Sequence, residues 1–225
     1  GETPGDGIDN DGNGHVDDVY GIDTANDDSD PRDDHSHGTH TMGTVAAVGD
    51  NGIGVAGVTW NARIMALKFL DAGGYGSTTD AIEAVDYMTM MKRDYGVNIV
   101  VSNNSWGGGL FSQPLKDAIA ASNAEGILFV AAAGNLGEDT DLSPHYPSSY
   151  DLPGIISVAA TDHNDNRASF SNYGATSVDL GAPGVNTYST TPNNGYGNKS
   201  GTSMATPHVA GATALLMNRN PNATL

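Results

Sequence analysis

From residue 62 onward the chain alternates short apolar runs with amphipathic stretches, and no other feature constrains its fold as strongly. ARIMALKFL (62–70) reads as a buried strand, and TTDAIEAVDYMTMMKRD (78–94) carries its apolar residues at helical spacing. VNIVVSNNS (97–105) is again a strand, SQPLKDAIAASNAEG (112–126) a helix stopped by Gly126, and ILFVAAAGN (127–135) a strand. IISVAATD (155–162) and VDLGAPG (178–184) read as further strands, and a last helix starts near Ser203. Apolar strands separated by helices predict an α/β three-layer sandwich with a mostly parallel central sheet covered on both faces. Ligands of such sheets bind beyond the carboxyl ends of the strands, so the loops after Leu70, Ser105 and Ala133 are expected on one rim. No repeat or linker interrupts the pattern, and residues 1–225 are expected to form one domain. The abrupt acidic start and the stop just after a helix are those expected of a domain cut at both ends.

Charge narrows the choice of partners. The chain has 27 acids against 9 bases, a net charge of −18. Nucleic acid is excluded as an expected partner, because phosphate binding needs a basic face. The longest apolar run, ILFVAAA (127–133), is far too short to span a bilayer, so no membrane association is expected either. With no cysteine, disulfide and thiolate chemistry are also absent. Of the acids, thirteen lie in residues 1–50, where Arg32 is the only Lys or Arg. Such crowding of like charge calls for a counter-ion.

Three segments carry candidate chemistry. In DDHSHGTHTMGTVAAV (33–48), His37 opens a helix of small residues. FVAAAGN (129–135) ends on Asn135, and SGTSMATPHVAGA (200–212) starts a helix at Ser203 with Pro207 one turn on. Singly, each has a plain explanation: an N-cap serine, a surface histidine, a turn asparagine. In this order within an α/β alternation, they resemble the subtilases, the subtilisin-like serine peptidases. SNNSWGGG (102–109) matches the family's substrate-strand motif, and the resemblance runs from about residue 5 to the end.

The resemblance implies a serine endopeptidase in which Ser203 is the nucleophile and His37 its general base. Asn135 would be the side-chain donor of the oxyanion hole, beside the Ser203 N–H. It implies protein or peptide substrates held extended between Ser105–Trp106–Gly107–Gly108 and Gly74–Tyr75–Gly76. Trp106, Gly107 and the strand end Ala132–Ala133–Gly134 would wall the S1 pocket, with His145 at its base. It implies an N-terminal propeptide and a secreted enzyme, expected to be a monomer. Pro207 is expected to cost little, since few intrahelical bonds exist so near a helix start.

The pattern is broken in one place. The family's triad acid precedes the histidine at the end of an apolar strand, and no such strand precedes His37. Asp23, in GIDT (21–24), lies only fourteen residues ahead of His37, closer than the family's interval. The strand and its aspartate are therefore expected upstream of Gly1, with Asp23 as a lesser alternative. These 225 residues alone are expected to show little or no proteolysis. Without the acid, a catalytically inert subtilase-fold fragment or binding module is the alternative function. His35, His37 and His40 raise a metal-hydrolase reading, although their HxxH lacks the Glu and spacing of a zinc-peptidase helix.

The acidic segments predict structural Ca²⁺. DNDGNGHVD (9–17) sets Asp9, Asp11, Asn13 and Asp17 at calcium-loop positions with Gly14 at the turn; Tyr20 stands where an EF-hand has its closing Glu. DTANDDSDPRDD (23–34) resembles the calcium loop before HGTH in thermitase-like subtilases, which would make Asp23, Asp28 and Asp30 ligands.

Overall fold

A computed structural model describes residues 1–220. Its first strand, β1 (Gly21–Asp23), pairs in parallel with β2 (Ala66–Lys68). A second parallel sheet contains β3 (Val101–Asn104), β4 (Leu128–Ala132), β5 (Ile155–Thr161) and β6 (Leu180–Pro183), adjacent in chain order. An antiparallel hairpin follows, β7 (Thr187–Thr191) with β8 (Gly195–Lys199). The helices are α1 (His37–Ala46), α2 (Thr78–Arg93), α3 (Gln113–Ala124) and α4 (Thr202–Arg219).

The strand period of two creates the layers. Along β4, Phe129 and Ala131 pack with Val85 and Met88 of α2 and with Leu115 and Ile119 of α3. Val130 belongs to the opposite face, with Val158 of β5, Val45 of α1, and Ala205 and Ala210 of α4. Burying each such large side chain contributes about 1.5–3 kcal/mol. The sheet is thus covered on both faces, as the alternation predicts.

Local chemistry sets the helix ends. Ser77 and Asp80 form a capping box, Ser77 Oγ accepting from Asp80 N–H and Asp80 Oδ2 from Ser77 N–H, both at 3.1 Å. Ser112 Oγ accepts from Leu115 N–H at 3.4 Å and starts α3. Gly126, at φ 74°, provides the left-handed turn that ends it.

Two strands are shorter than their apolar runs. The run at 62–70 pairs only over Ala66–Lys68 and that at 97–105 only over Val101–Asn104. Among the described residues β2 pairs with β1 alone and β3 with β4 alone, so each has an edge without a ladder. The β7–β8 hairpin lies outside the strand–helix reading. Its signal is Pro192-Asn193-Asn194-Gly195, a three-residue loop closed by Thr191 and Gly195, in which both asparagines adopt left-handed φ of 61° and 58°.

Candidate active site

The two reactive candidates sit in the first turns of two helices. His37 is the first residue of α1, and Ser203 the second of α4. Ser36, just before His37, has φ 77°. A non-glycine residue held in that region costs on the order of 1–3 kcal/mol. Asp33 supports it: Oδ1 accepts from Ser36 N–H at 2.8 Å and His35 N–H at 2.9 Å, and Oδ2 from Thr39 N–H at 2.7 Å. The cap of α1 is therefore supplied by Asp33 rather than by Ser36.

α1 is fastened to the hairpin by His40, which is fully buried. Its Nε2 lies 3.1 Å from the carbonyl oxygens of both Thr187 and Gly197, so Nε2–H is the donor. Ser189 Oγ donates to the His40 carbonyl and Thr190 Oγ1 to the Thr39 carbonyl, each at 2.8 Å. β8 then leads through Gly201 into α4, so one hairpin links the helix of His37 to the turn of Ser203.

At that turn, Ser203 Oγ donates to the Ser105 carbonyl at 3.0 Å, and Ser105 Oγ donates to the Ser203 carbonyl at 2.8 Å. The second bond corrects the reading of Pro207. Having no N–H, Pro207 deprives the Ser203 carbonyl of its i+4 donor. Ser105, from another element, replaces it, so the proline is accommodated by tertiary structure and not by its place near the helix start. Asn135 Oδ1 accepts from Thr202 N–H at 2.8 Å and from Thr202 Oγ1 at 3.0 Å, which leaves the Nδ2 hydrogens available. A Cβ placed on Gly201 would lie 3.7 Å from both Asn135 Nδ2 and Ser203 N, so the two donors border one space. An amide and a helix N-terminus bordering the same space suit a developing negative charge.

Burial first, and the Lys199 charge second, push the His37 pKa down from 6.5 to about 4, against the opposing effect of Asp33. The imidazole is thus neutral at neutral pH, as a general base must be. No hydrogen bond joins it to another group among the described residues.

The sequence pattern of the Subtilase family matches residues 5–225. The chain belongs to the subtilase family. It is 44% identical to Subtilisin DY of Bacillus licheniformis over 190 residues, covering 84% of this subtilase and 66% of that protein. Thermitase of Thermoactinomyces vulgaris is 41% identical over 206 residues, or 92% of this chain and 70% of its own. The crystal structure of a cold-adapted subtilisin-like serine proteinase superposes with a TM-score of 0.80 at 36% identity, covering 92% of this chain and 70% of that one. The fold is subtilisin-like. The chain spans just under two thirds of Subtilisin DY, 66% of its length.

In this subtilase the expected pocket residues converge in part. A Cβ on Gly107 would come within 2.3 Å of His145 Cε1, and one on Gly134 within 2.9 Å of His145 Cδ2. Gly107, Gly134 and His145 are therefore in direct contact. Ala132 and Ala133 are buried behind them. The half-buried Trp106 ring packs edge-on against Phe69 and Phe129, at centroid distances of 4.8 and 6.4 Å, and its Nε1–H donates to Asn104 Oδ1 at 3.2 Å. Gly108 N–H donates to the Tyr146 carbonyl at 3.0 Å. Gly74–Tyr75–Gly76 also differs from a free strand edge. Asp71 N–H donates to the Tyr75 carbonyl at 2.7 Å and Asp71 Oδ1 accepts from Tyr75 N–H at 3.0 Å, closing a turn that leaves the Tyr75 side chain exposed. Composition hid this, because a glycine pair serves an extended edge and a tight turn equally well.

Asn172, which no motif singled out, organises the end of β4. It is 1% exposed, and its Nδ2 donates to the Ala133 carbonyl at 2.9 Å. Its Oδ1 accepts from Leu136 N–H at 3.0 Å and Glu138 N–H at 3.1 Å, so one amide holds the loop that carries Asn135.

The acidic segments divide differently from the expected ligand sets. Carboxylate oxygens of Glu2, Asp9 and Asp11 lie within 4.8 Å of one another. Asn13 and Asp17 point elsewhere: Asn13 Nδ2 donates to Asp18 Oδ2 at 2.7 Å, and Asp17 accepts from Gly5 N–H at 2.8 Å and Gly7 N–H at 3.1 Å. Glu2 went unrecognised because it joins the loop through tertiary contact, accepting from Asn10 N–H at 2.8 Å. Asp23 is 3% exposed and paired with Lys68 at 2.9 Å, so an ammonium already occupies the place of a metal. Asp28 and Asp30 close local turns, accepting from Asp30 N–H and Arg32 N–H. Asp23 is committed to Lys68 and to the Ala25 and Asn26 backbone N–H groups instead of to His37, while Asp28 and Asp30 each use Oδ1 alone in these turns. His40, with Nε2 spent on two carbonyls, is structural.

Proposed function

We propose that this chain is the core of a subtilisin-like serine endopeptidase that cleaves proteins through an acyl-enzyme. The carrying observation is that Asn135 Nδ2 and Ser203 N both lie 3.7 Å from the position a Gly201 Cβ would take, in the turn that bears the Ser203 hydroxyl. His37, neutral at neutral pH, takes the hydroxyl proton as Oγ attacks the scissile carbonyl. The Ser203 N–H and Asn135 Nδ2 hold the oxyanion, and the imidazolium then protonates the departing amine. Water repeats the sequence to release the acid. Before attack the Ser203 hydroxyl leaves the Ser105 carbonyl and turns to His37.

The triad acid is the remaining part. No carboxylate hydrogen-bonds to His37 among the described residues, and β2 and β3 each have an edge without a ladder. An added parallel strand could pair with such an edge. An upstream apolar strand ending in aspartate is the reading that these two facts support together. A serine-directed fluorophosphonate separates the alternatives. Labelling at Ser203 in an upstream-extended chain supports the peptidase; a folded, extended chain that stays unlabelled is an inert subtilase-fold module.

We further propose one structural Ca²⁺ held by Glu2, Asp9 and Asp11. The support is their mutual proximity, together with Asp11 Oδ1, which is buried without a hydrogen-bond partner. Hard oxygen donors suit Ca²⁺, and a bound ion would relieve the repulsion among these acids. Calorimetry of the folded chain that detects no Ca²⁺ binding would overturn this. A secreted monomer acting on protein substrates and made with a propeptide is in keeping with this reading. No helix among the described residues is long and apolar enough to cross a membrane.

A further inference from the structure

Lys199 ends β8, four residues before Ser203. Its Nζ donates to Ser36 Oγ at 2.7 Å, and Ser36 is the left-handed residue that immediately precedes His37. One side chain therefore joins the turn that presents the base to the strand that delivers the nucleophile. The other side-chain bonds from the hairpin to α1 end on the carbonyls of Thr39 and His40, beyond His37. Among the described residues Lys199 makes no ion pair, so its charge is uncompensated.

We propose that Lys199 is a positioning residue for His37: it pins the strained Ser36 turn and keeps a fixed positive charge beside the imidazole. The other titratable groups facing His37 are His35 and Asp33, from the segment before α1, and His40 on α1 itself. Among the described residues Asp33 is the one anion of this set, and its oxygens are spent on the backbone of His35, Ser36 and Thr39. Lys199 is thus the charge that, after burial, most favours a neutral imidazole. In the chain without the upstream acid, the consequence is a base that remains able to accept a proton in acid where an ordinary histidine is already protonated. This rests on His37 being the general base.

The test is an NMR titration of the His37 ring nitrogens in the ¹⁵N-labelled chain, its Lys199→Met variant and its Lys199→Arg variant, with circular dichroism to confirm folding. The Met variant is expected to titrate above the parent midpoint of about 4, toward 6.5, and the Arg variant to restore the low value. A folded Met variant with an unshifted His37 overturns the proposal. Should the Met variant not fold, Lys199→Gln keeps a donor for Ser36 and loses only the charge; a raised midpoint there supports the proposal, and an unchanged one overturns it. These outcomes are independent of catalysis. Failure of fluorophosphonate to label Ser203 would sink the peptidase reading and leave the titration result standing.

Discussion

Ser105 and Ser203 bond to each other's main chain, each hydroxyl donating to the other's carbonyl at 2.8 and 3.0 Å. One bond replaces the donor that Pro207 lacks. The other holds the reactive hydroxyl on the rim of β3, next to where a substrate carbonyl would arrive.

Removing the Ser105 hydroxyl should therefore matter because of Pro207. Ser105→Ala leaves the Ser203 carbonyl without a donor, at a cost of about 1–3 kcal/mol. Pro207→Ala restores an N–H four residues on, and in that background Ser105→Ala should cost clearly less. Thermal melts of the four proteins in a double-mutant cycle give the coupling. Strict additivity would show that Ser105 does not replace the missing donor.

Asn135→Ala should lower kcat by about 10²–10³ with little change in KM, a figure that comes from subtilisin itself. The measurement needs the upstream-extended chain and a peptide substrate. A variant with unchanged kcat would remove Asn135 from the oxyanion hole.

Asn172→Ala should destabilise the fold by about 2 kcal/mol or more, since it strands the Ala133 carbonyl and two loop N–H groups. Denaturant melts report the loss. A cost within about 0.5 kcal/mol, the range of ordinary surface changes, would show that the loop end does not depend on it.

Acid should weaken the fold from pH 6.5 downward. Burial holds His37, His40, His145 and His208 below the ordinary 6.5. Between 6.5 and about 4, the value reached by His37, the unfolded chain binds protons that the folded chain refuses. Their stabilising contribution is whole above that window and declines as pH falls through it. Asp141, held at about 2 by Ser177 and Thr176, loses its own contribution only further down. Melting temperatures that stay flat from pH 7 to pH 4 would contradict this.

Chelation should lower the melting temperature if Glu2, Asp9 and Asp11 hold calcium. Asp11→Asn should melt low with or without a chelator. An equal chelator response in that variant would place the ion elsewhere.

The legible parts of this protein were those written in local sequence. Apolar runs of strand and helix length, the Ser77–Asp80 cap and the stop at Gly126 are properties of adjacent residues, and they specified the three-layer fold. The motifs that hold His37, Asn135 and Ser203 likewise marked the family. The hairpin was legible in principle from its Asn-Asn-Gly turn, but its strands lack the apolar alternation that draws attention. The packing of Trp106 against Phe69 and Phe129 was not legible, because Phe69 lies 37 and Phe129 23 positions away in the chain.

What sequence alone determined is thus the layering, which follows from the periodicity of side chains, and the family, which its motifs carry. Tertiary structure decided everything that depends on two distant segments meeting. It set Ser105 under the carbonyl left free by Pro207 and Asn172 behind Ala133. It gave Lys68 rather than a metal to Asp23, and drew Glu2 to Asp9 and Asp11. It also brought the Lys199 ammonium to the turn before His37. Hydrogen bonds and charge act over a few ångströms of space, and residues 98 or 163 positions apart in the chain become neighbours only once the sheet and helices have packed.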